Sequence, residues 1–258
     1  YSFSKSYFMV MADSVLVRIE NLSKSFGTAK ILDNVSLNVN TGENLVVFGQ
    51  SGTGKSVLLK CIIGLLTPDS GQIFIENNEI HSLTVNQLNE VRKKIGFLFQ
   101  SAALYDSMTV RENLSFPLKK IFFMSQKECD IKVEKTLELV SLAHAIDKMP
   151  SELSGGMRKR IGLARSIITD PQLMLYDEPT TGLDPITTKE ISKLILDLQK
   201  QLKMTSIVVT HDLICAKIIA DRAIFLRDGK IAFQGDIDEL TASQDKFLQN
   251  FFSLEALK

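Results

Sequence analysis

The sequence has no excess of charge of either sign: its 258 residues carry 30 Lys and Arg against 30 Asp and Glu. That balance removes any global electrostatic case for binding nucleic acid, which would need a local basic patch. Long hydrophobic runs are also absent. No apolar stretch reaches the roughly 20 residues of a membrane span, so the chain is expected to be soluble or to ride on a membrane partner. The opening YSFSKSYFMV makes a poor secretory leader, because its apolar part is short and no small-residue cleavage site follows. It begins with Tyr, Met9 and Met11 are candidate natural starts, and residues 1–13 are expected to be unstructured or foreign to the natural chain. Cysteine is scarce too. Cys61, Cys129 and Cys215 show neither metal spacing nor a disulfide framework and read as reduced thiols in a cytosol. There is no internal repeat and no low-complexity segment.

What is present is an alternation of elements. Val15–Asn21 and Ile31–Val39 read as strands, and Leu45–Phe48 is a short buried strand that runs into a Gly-rich loop, with a helix from Lys55. Gln72–Ile75 and Glu79–Ile80 suggest a hairpin around Asn77-Asn78, and Ile95–Phe99 another strand. Thr109 to Ile168 is helical in pattern, with Ser125–Val140 the clearest helix and a break at Met149-Pro150. Strands and helices then alternate: Leu173–Tyr176, Ile186–Leu202, Ser206–Val209, Leu213–Ala220, Ala223–Arg227 and Lys230–Gln234, before two short helices. The expectation is an α/β fold with a mainly parallel core sheet, an antiparallel β-region at the start and an inserted helical sub-domain at about 101–168. Residues 14–240 would form the main domain and 241–258 a helical tail.

The loop GQSGTGKS is the first feature with chemistry in it: Gly49, Gln50, Ser51, Gly52, Thr53, Gly54, Lys55 and Ser56 fit G-x-x-x-x-G-K-[ST] after a buried strand. Glycines let the backbone wrap so that several N–H groups converge, and the helix start adds partial positive charge. Lys55 would reach the β- and γ-phosphates of a nucleotide, and Ser56 would offer its hydroxyl to Mg²⁺. The metal needs a carboxylate, and LMLYDE supplies Asp177 at a strand end. Glu178, one residue on, is placed to take a proton from an attacking water. Adjacent acids after a strand are ordinarily a solvated loop; beside the phosphate loop the functional reading is preferred.

A second helix start, SELSGGMRKR, also suits an anion. Ser154 is a good N-cap, and Gly155 and Gly156 leave the first N–H groups bare. Met157, Ile161, Ala164 and Ile168 form a core-facing stripe, while Arg158, Lys159, Arg160 and Arg165 are expected mostly on a solvated face.

LSGGM with its basic run, lying between GQSGTGKS and LMLYDEPTTGLD, resembles the signature of ATP-binding cassette (ABC) ATPases. The resemblance covers nearly the whole chain and includes Gln100 after a strand, Thr181-Gly182-Leu183-Asp184 after the acidic pair, and His211 after SIVVT. It implies a P-loop NTPase cassette that hydrolyses ATP with Mg²⁺ between two copies meeting head to tail. Each ATP would lie between the P-loop of one copy and Ser154, Gly155 and Gly156 of the other. By the same resemblance Gln100 and Asp177 serve the metal with Ser56, Glu178 is the base, His211 contacts the γ-phosphate, and Asp184 signals across the dimer. Phe26, in SKSFG, would stack on adenine, though as a lone aromatic at a strand end it could equally be core. Met157 stands where many members of the family have Gln. His81 and His144 read as ordinary.

FQSAALYDSMTV, MPSELSGGMRKRIGLARSI and DEPTTGLDPI together resemble the cassettes of Mla-type and other MCE-associated lipid transport systems. The implied partners are an inner-membrane permease, an MCE-domain lipid-binding protein and, in some members, a small STAS-like protein. The implied location is the cytoplasmic face of the inner membrane. Ala102, Ala103, Leu104 and Tyr105 would either meet the permease or pack inside the helical sub-domain. The sequence ends soon after FFSLEALK, where some relatives carry a longer arm. Two alternatives stay open: a transport cassette for another cargo, such as a polar amino acid, and a non-transport ABC ATPase of DNA repair or translation. The latter is disfavoured by the absence of sustained heptads.

Overall fold

The computed structural model describes residues 14–50 and 52–255. The expectation for residues 1–13, and Ser51 of the phosphate loop, lie outside the described residues. Two long strands, β1 (Val15–Phe26) and β2 (Ala29–Asn40), open the chain, followed by β3 (Asn44–Phe48) and α1 (Lys55–Ile62). After β4 (Ser70–Ile75) and the short β5 (Asn78–Glu79) come α2 (Val85–Arg92) and β6 (Ile95–Leu98). Three helices follow: α3 (Val110–Ile121), α4 (Gln126–Leu139) and α5 (Gly155–Ile167). The second half alternates β7 (Leu173–Asp177), α6 (Pro185–Leu202), β8 (Thr205–Val209), α7 (Leu213–Ile219), β9 (Arg222–Arg227) and β10 (Lys230–Gly235). Helices α8 (Ile237–Thr241) and α9 (Lys246–Glu255) close it.

The strands form two sheets. One has the order β10-β9-β3-β8-β7-β6 and is parallel except for β10; the other, β2-β1-β4-β5, is antiparallel. This is the expected arrangement, a mainly parallel core sheet with a separate antiparallel β-region. The near-continuous apolar runs of β3, β7, β8 and β9 follow from burial of the parallel sheet on both faces. Alternate residues divide between two cores, as the two-residue strand period requires. Val46, Phe48, Met174, Tyr176, Val208 and Phe225 face the core shared with α3 to α7 and α9. Leu45, Val47, Leu175, Ile207, Val209 and Leu226 face the core shared with α1 and the antiparallel sheet.

Most expected elements are present, with three differences. Helix α2 was not anticipated, because among its eight residues only Val91 is buried and its apolar periodicity is weak; a capping box at Thr84 and Gln87 starts it. The turn of the β4–β5 hairpin sits one residue earlier than expected: Glu76 takes a left-handed φ of 54° and Asn78 is already in the strand. The first two strands are longer than their alternating parts, since residues such as Ser23, opposite Ser70 of β4, and Ser25, opposite Lys30 of β2, pair across the ladders without a buried face.

Candidate functional site: a nucleotide cleft and a separate signature surface

The parallel register sets strand ends level with one another. Val47 pairs with Val209, and Asp177 pairs with Val209 from the other side. The loops that leave β3, β7 and β8 therefore emerge together, at the carboxyl edge where ligands of such sheets bind. Glu178 N–H donates to Val209 O at 2.9 Å and Thr210 N–H to Val47 O at 3.2 Å, which ties these loop starts to the sheet. A cavity of about 1130 Å³ opens there, lined among others by Phe26, Gln50, Gly52, Gly54, Lys55, Ser56, Gln100, Glu178 and His211.

The loop from Gly49 to α1 is tight. Thr53 Oγ1 donates to Gln50 O at 2.8 Å, and Gly54 caps α1 with φ 97°. A Cβ at Gly54 would lie 2.8 Å from Ile31 Cγ2 and 2.9 Å from the Ile31 carbonyl, so both conformation and space select glycine. Gly52 also has positive φ, 82°, but nothing within 4 Å of a Cβ. Lys55 is 7% exposed, and its ammonium donates to Gly49 O at 2.7 Å and Gln50 O at 2.9 Å, with Glu178 Oε1 at 3.9 Å. Burial pushes its pKa below that of an ordinary lysine, opposed by the carboxylates of Glu178 and Asp177.

Ser56 Oγ donates to Asp177 Oδ1 at 2.8 Å, which puts two hard oxygens side by side at the start of α1 and the end of β7. Glu178 follows with φ 52°, a left-handed conformation unusual outside glycine. Its Oε2 accepts from Thr181 Oγ1 at 3.3 Å and lies 2.9 Å from His211 Nδ1. Phe26 is half exposed on the cleft rim, which removes the core alternative for it.

Ser154, Gly155 and Gly156 line a different surface, together with Asp184 and Thr187. Ser154 Oγ caps α5 by accepting from Met157 N–H at 3.3 Å, and the first turn is open to solvent. Asp184 caps α6: its Oδ1 accepts from Ile186 and Thr187 N–H, each at 3.0 Å, and its Oδ2 from Thr187 Oγ1 at 2.6 Å. The Thr187 hydroxyl bond leads in holding the Asp184 carboxyl below the usual aspartate range. The structure thus gathers Phe26, the described loop residues, Gln100, Asp177, Glu178 and His211 on one surface, and Ser154, Gly155, Gly156 and Asp184 on another.

The basic residues of α5 do not share one solvated face. Arg158 is exposed, Arg160 pairs with Glu190 at 3.0 Å and Arg165 lies over the Tyr105 ring at 4.8 Å. Lys159 is only 7% exposed and reaches the carbonyls of Gln100 and Glu178. The signal for it is Gly162 and Ser166, small residues on the same helical face as Lys159 that let α5 approach the segment after β6. A Cβ at Gly162 would meet Ala102 Cβ at 2.6 Å. The Ala102–Tyr105 patch is divided: Ala102 is buried, Leu104 packs against the core, and Ala103 and Tyr105 are exposed. From α9, Phe247, Asn250 and Phe251 also line the cleft; their distance along the chain from every phosphate motif hid them.

A P-loop closed by an acidic strand end, with a second anion-suited helix start on a separate surface, defines a cassette-type ATPase. The family described as ABC transporter matches residues 32–181. The chain belongs to that family and is one of its ATP-hydrolysing cassettes. It is 40% identical over 244 residues to the probable ribonucleotide transport ATP-binding protein mkl of Mycobacterium leprae, covering 94% of this chain and 70% of that one. It is 40% identical over 241 residues to the intermembrane phospholipid transport system ATP-binding protein MlaF of Haemophilus influenzae, covering 93% and 91%. The methionine import ATP-binding protein MetN of Mesorhizobium japonicum is 39% identical over 226 residues, 88% of this chain and 62% of that protein. A dimeric ATP-binding cassette solved in a post-hydrolysis state with ADP and Pi superposes with TM-score 0.77 at 33% identity, over 86% of this chain and 98% of that one.

Proposed function

We propose that this cassette powers lipid trafficking, phospholipid above all, across a bacterial envelope, from the cytoplasmic face of the inner membrane and through a permease working with an MCE-domain protein. A small STAS-like protein is a further candidate partner. The observation that carries this reading is the likeness to MlaF, which extends over 91% of that protein. Among the described residues no helix is long and apolar enough to cross a membrane, which agrees with attachment through a permease.

In this reading two copies meet head to tail, because one chain holds its P-loop and its signature residues on separate surfaces. Phe26 stacks on the base, and the loop N–H groups with Lys55 take the phosphates. Ser154, Gly155 and Gly156 of the second copy complete the γ-phosphate shell, and Asp184 sits beside them to report on its neighbour. The adjacent oxygens of Ser56 and Asp177 suit Mg²⁺, which takes few protein ligands and keeps waters and phosphates as the rest; Gln100 lines the same cleft. Bound there, the ion would neutralise phosphate charge. Glu178 accepts the proton of the attacking water, and His211, held at its carboxylate, faces the γ-phosphate.

A second reading keeps the chemistry and changes the cargo, as the names of mkl and MetN suggest. The test is to tag the chain, extract it gently from native membranes and identify what accompanies it by mass spectrometry. Co-purification of a permease with an MCE-domain protein supports lipid transport; a permease with a solute-binding protein instead would overturn it.

A further inference from the structure

Lys159 is a buried ammonium that the proposed reaction does not use. A cation removed from water needs partners for its protons, or its desolvation is uncompensated. Lys159 Nζ has two, and neither belongs to its own helix: it donates to Gln100 O at 2.5 Å and to Glu178 O at 3.4 Å. Burial lowers its pKa, and the nearby carboxylates of Glu178 and Asp177 work against that shift. The three elements it joins are α5, the segment after β6, and the loop after β7.

Glu178 makes this contact matter. Its backbone is left-handed, with φ 52°, and a non-glycine residue keeps that conformation only where its surroundings hold it. The N–H is held by Val209 O of β8 at 2.9 Å, and the carbonyl accepts from Thr181 N–H at 3.3 Å and from Lys159 Nζ at 3.4 Å. The N–H of Glu178 is therefore fixed by the sheet, and its carbonyl is shared between the turn to Thr181 and a side chain of α5, the one contact that ties it to another element. Lys159 also lies little more than one helical turn from Ser154, where the helix meets the ATP of the other copy in the proposed dimer. The close approach that permits the reach is built in, since Gly162 leaves no room for a Cβ against Ala102.

We infer that Lys159 is a positioning residue: it couples the signature end of α5 to the catalytic glutamate and Gln100 loop of its own chain, so that occupancy of one ATP site sets the geometry of the other. The coupling runs through the Gln100 and Glu178 carbonyls, and by linkage it acts in both directions. This rests on Glu178 as the base.

The test compares Lys159→Met, Lys159→Gln and Lys159→Arg in the full chain, within the transporter complex purified from native membranes, with Glu178→Gln alongside. Lys159→Met keeps the volume and removes the donors. Its kcat is expected to fall about ten- to a hundred-fold, the scale of an ångström-level misplacement. KM for ATP should stay within about twofold, because the loss falls on the transition state. Lys159→Gln, with a shorter neutral donor, should behave like Met and carries the test if the Met variant does not fold. Lys159→Arg restores donors to both carbonyls and should recover most of the rate. ATP-driven dimerisation, read in the Glu178→Gln background, should survive Lys159→Met. Wild-type kcat in Lys159→Met or Lys159→Gln, with Glu178→Gln slow, overturns the coupling alone. A loss of kcat matched by a fall in melting temperature and not rescued by Arg makes Lys159 a packing residue and also overturns it. A fast Glu178→Gln overturns the base assignment instead.

Discussion

Glu178→Gln separates binding from turnover, and the structure indicates by how much. The substitution keeps side-chain shape, and Gln takes the left-handed φ of 52° no worse than Glu, so the backbone should not move. Two things change. The first is the proton acceptor: a positioned general base is worth about a hundred- to ten-thousand-fold, or about 3–5 kcal/mol at 1.36 kcal/mol per decade. The second is the charge facing Lys55. Glu178 Oε1 lies 3.9 Å from Lys55 Nζ, with side-chain exposures of 13% and 7%. At an effective dielectric of about 20, Coulomb's law gives an attraction of about 4 kcal/mol. Removing it frees the ammonium for phosphate, so ATP affinity should hold or rise while phosphate release falls by two to four decades. Equilibrium binding of radiolabelled ATP and a colorimetric phosphate assay on the same preparation read both. A rate within a factor of about three of wild type would refute Glu178 as the base. A weakened ATP affinity would refute the proposed competition for Lys55.

Further outcomes follow from local geometry. Gly54→Ala combines a forced positive φ with backbone contact at 2.9 Å, and should lose about 2–5 kcal/mol of stability and with it ATP binding; Gly52→Ala, with open space around it, should lose only about 1–2 kcal/mol. Thermal melts with and without ATP distinguish them. Cys215 and Cys61 are buried thiols whose pKa values are pushed up to about 12 and about 11. At pH 8.5 neither should react with iodoacetamide in the native state, and both should react once guanidinium unfolds the chain, as peptide mass spectrometry can show. Asp177→Asn keeps a hydrogen-bond acceptor for Ser56 but removes charge, so the Mg²⁺ concentration for half-maximal ATPase should rise about tenfold or more with nucleotide affinity less affected.

The site was legible in the sequence where a motif is contiguous. The residues of GQSGTGKS, LMLYDE and LSGGM carry their context with them, because strand, loop and helix start are encoded side by side. The two-sided sheet was legible because runs such as Leu45–Phe48 are apolar throughout. Helix α2 was not, since a nearly exposed helix has little apolar period to show. Lys159 is the exception among the basic residues of α5, and the sequence does not single it out, because a charge on a surface-type helix reads as solvated until the small residues along its face bring it against another segment. The α9 residues on the cleft depend on tertiary packing: Phe251 and Phe252 pack edge-to-face with Phe225, with centroids at 5.0 and 6.3 Å, and this brings a distant segment to the rim of the cleft.

In the proposed dimer one chain lends its signature surface to the P-loop of another, and a mixing experiment tests this. Two chains are prepared in the Glu178→Gln background, one with Lys55→Ala and the other with Ser154→Arg. The first retains a signature without a working P-loop; the second has the reverse. Each alone should remain monomeric and retain no ATP through gel filtration. Mixed, they should form a dimer that traps ATP, because the P-loop of the Ser154→Arg chain meets the intact signature of the Lys55→Ala chain. Trapping by the Ser154→Arg chain alone, or none in the mixture when the Glu178→Gln chain traps ATP by itself, would contradict the account.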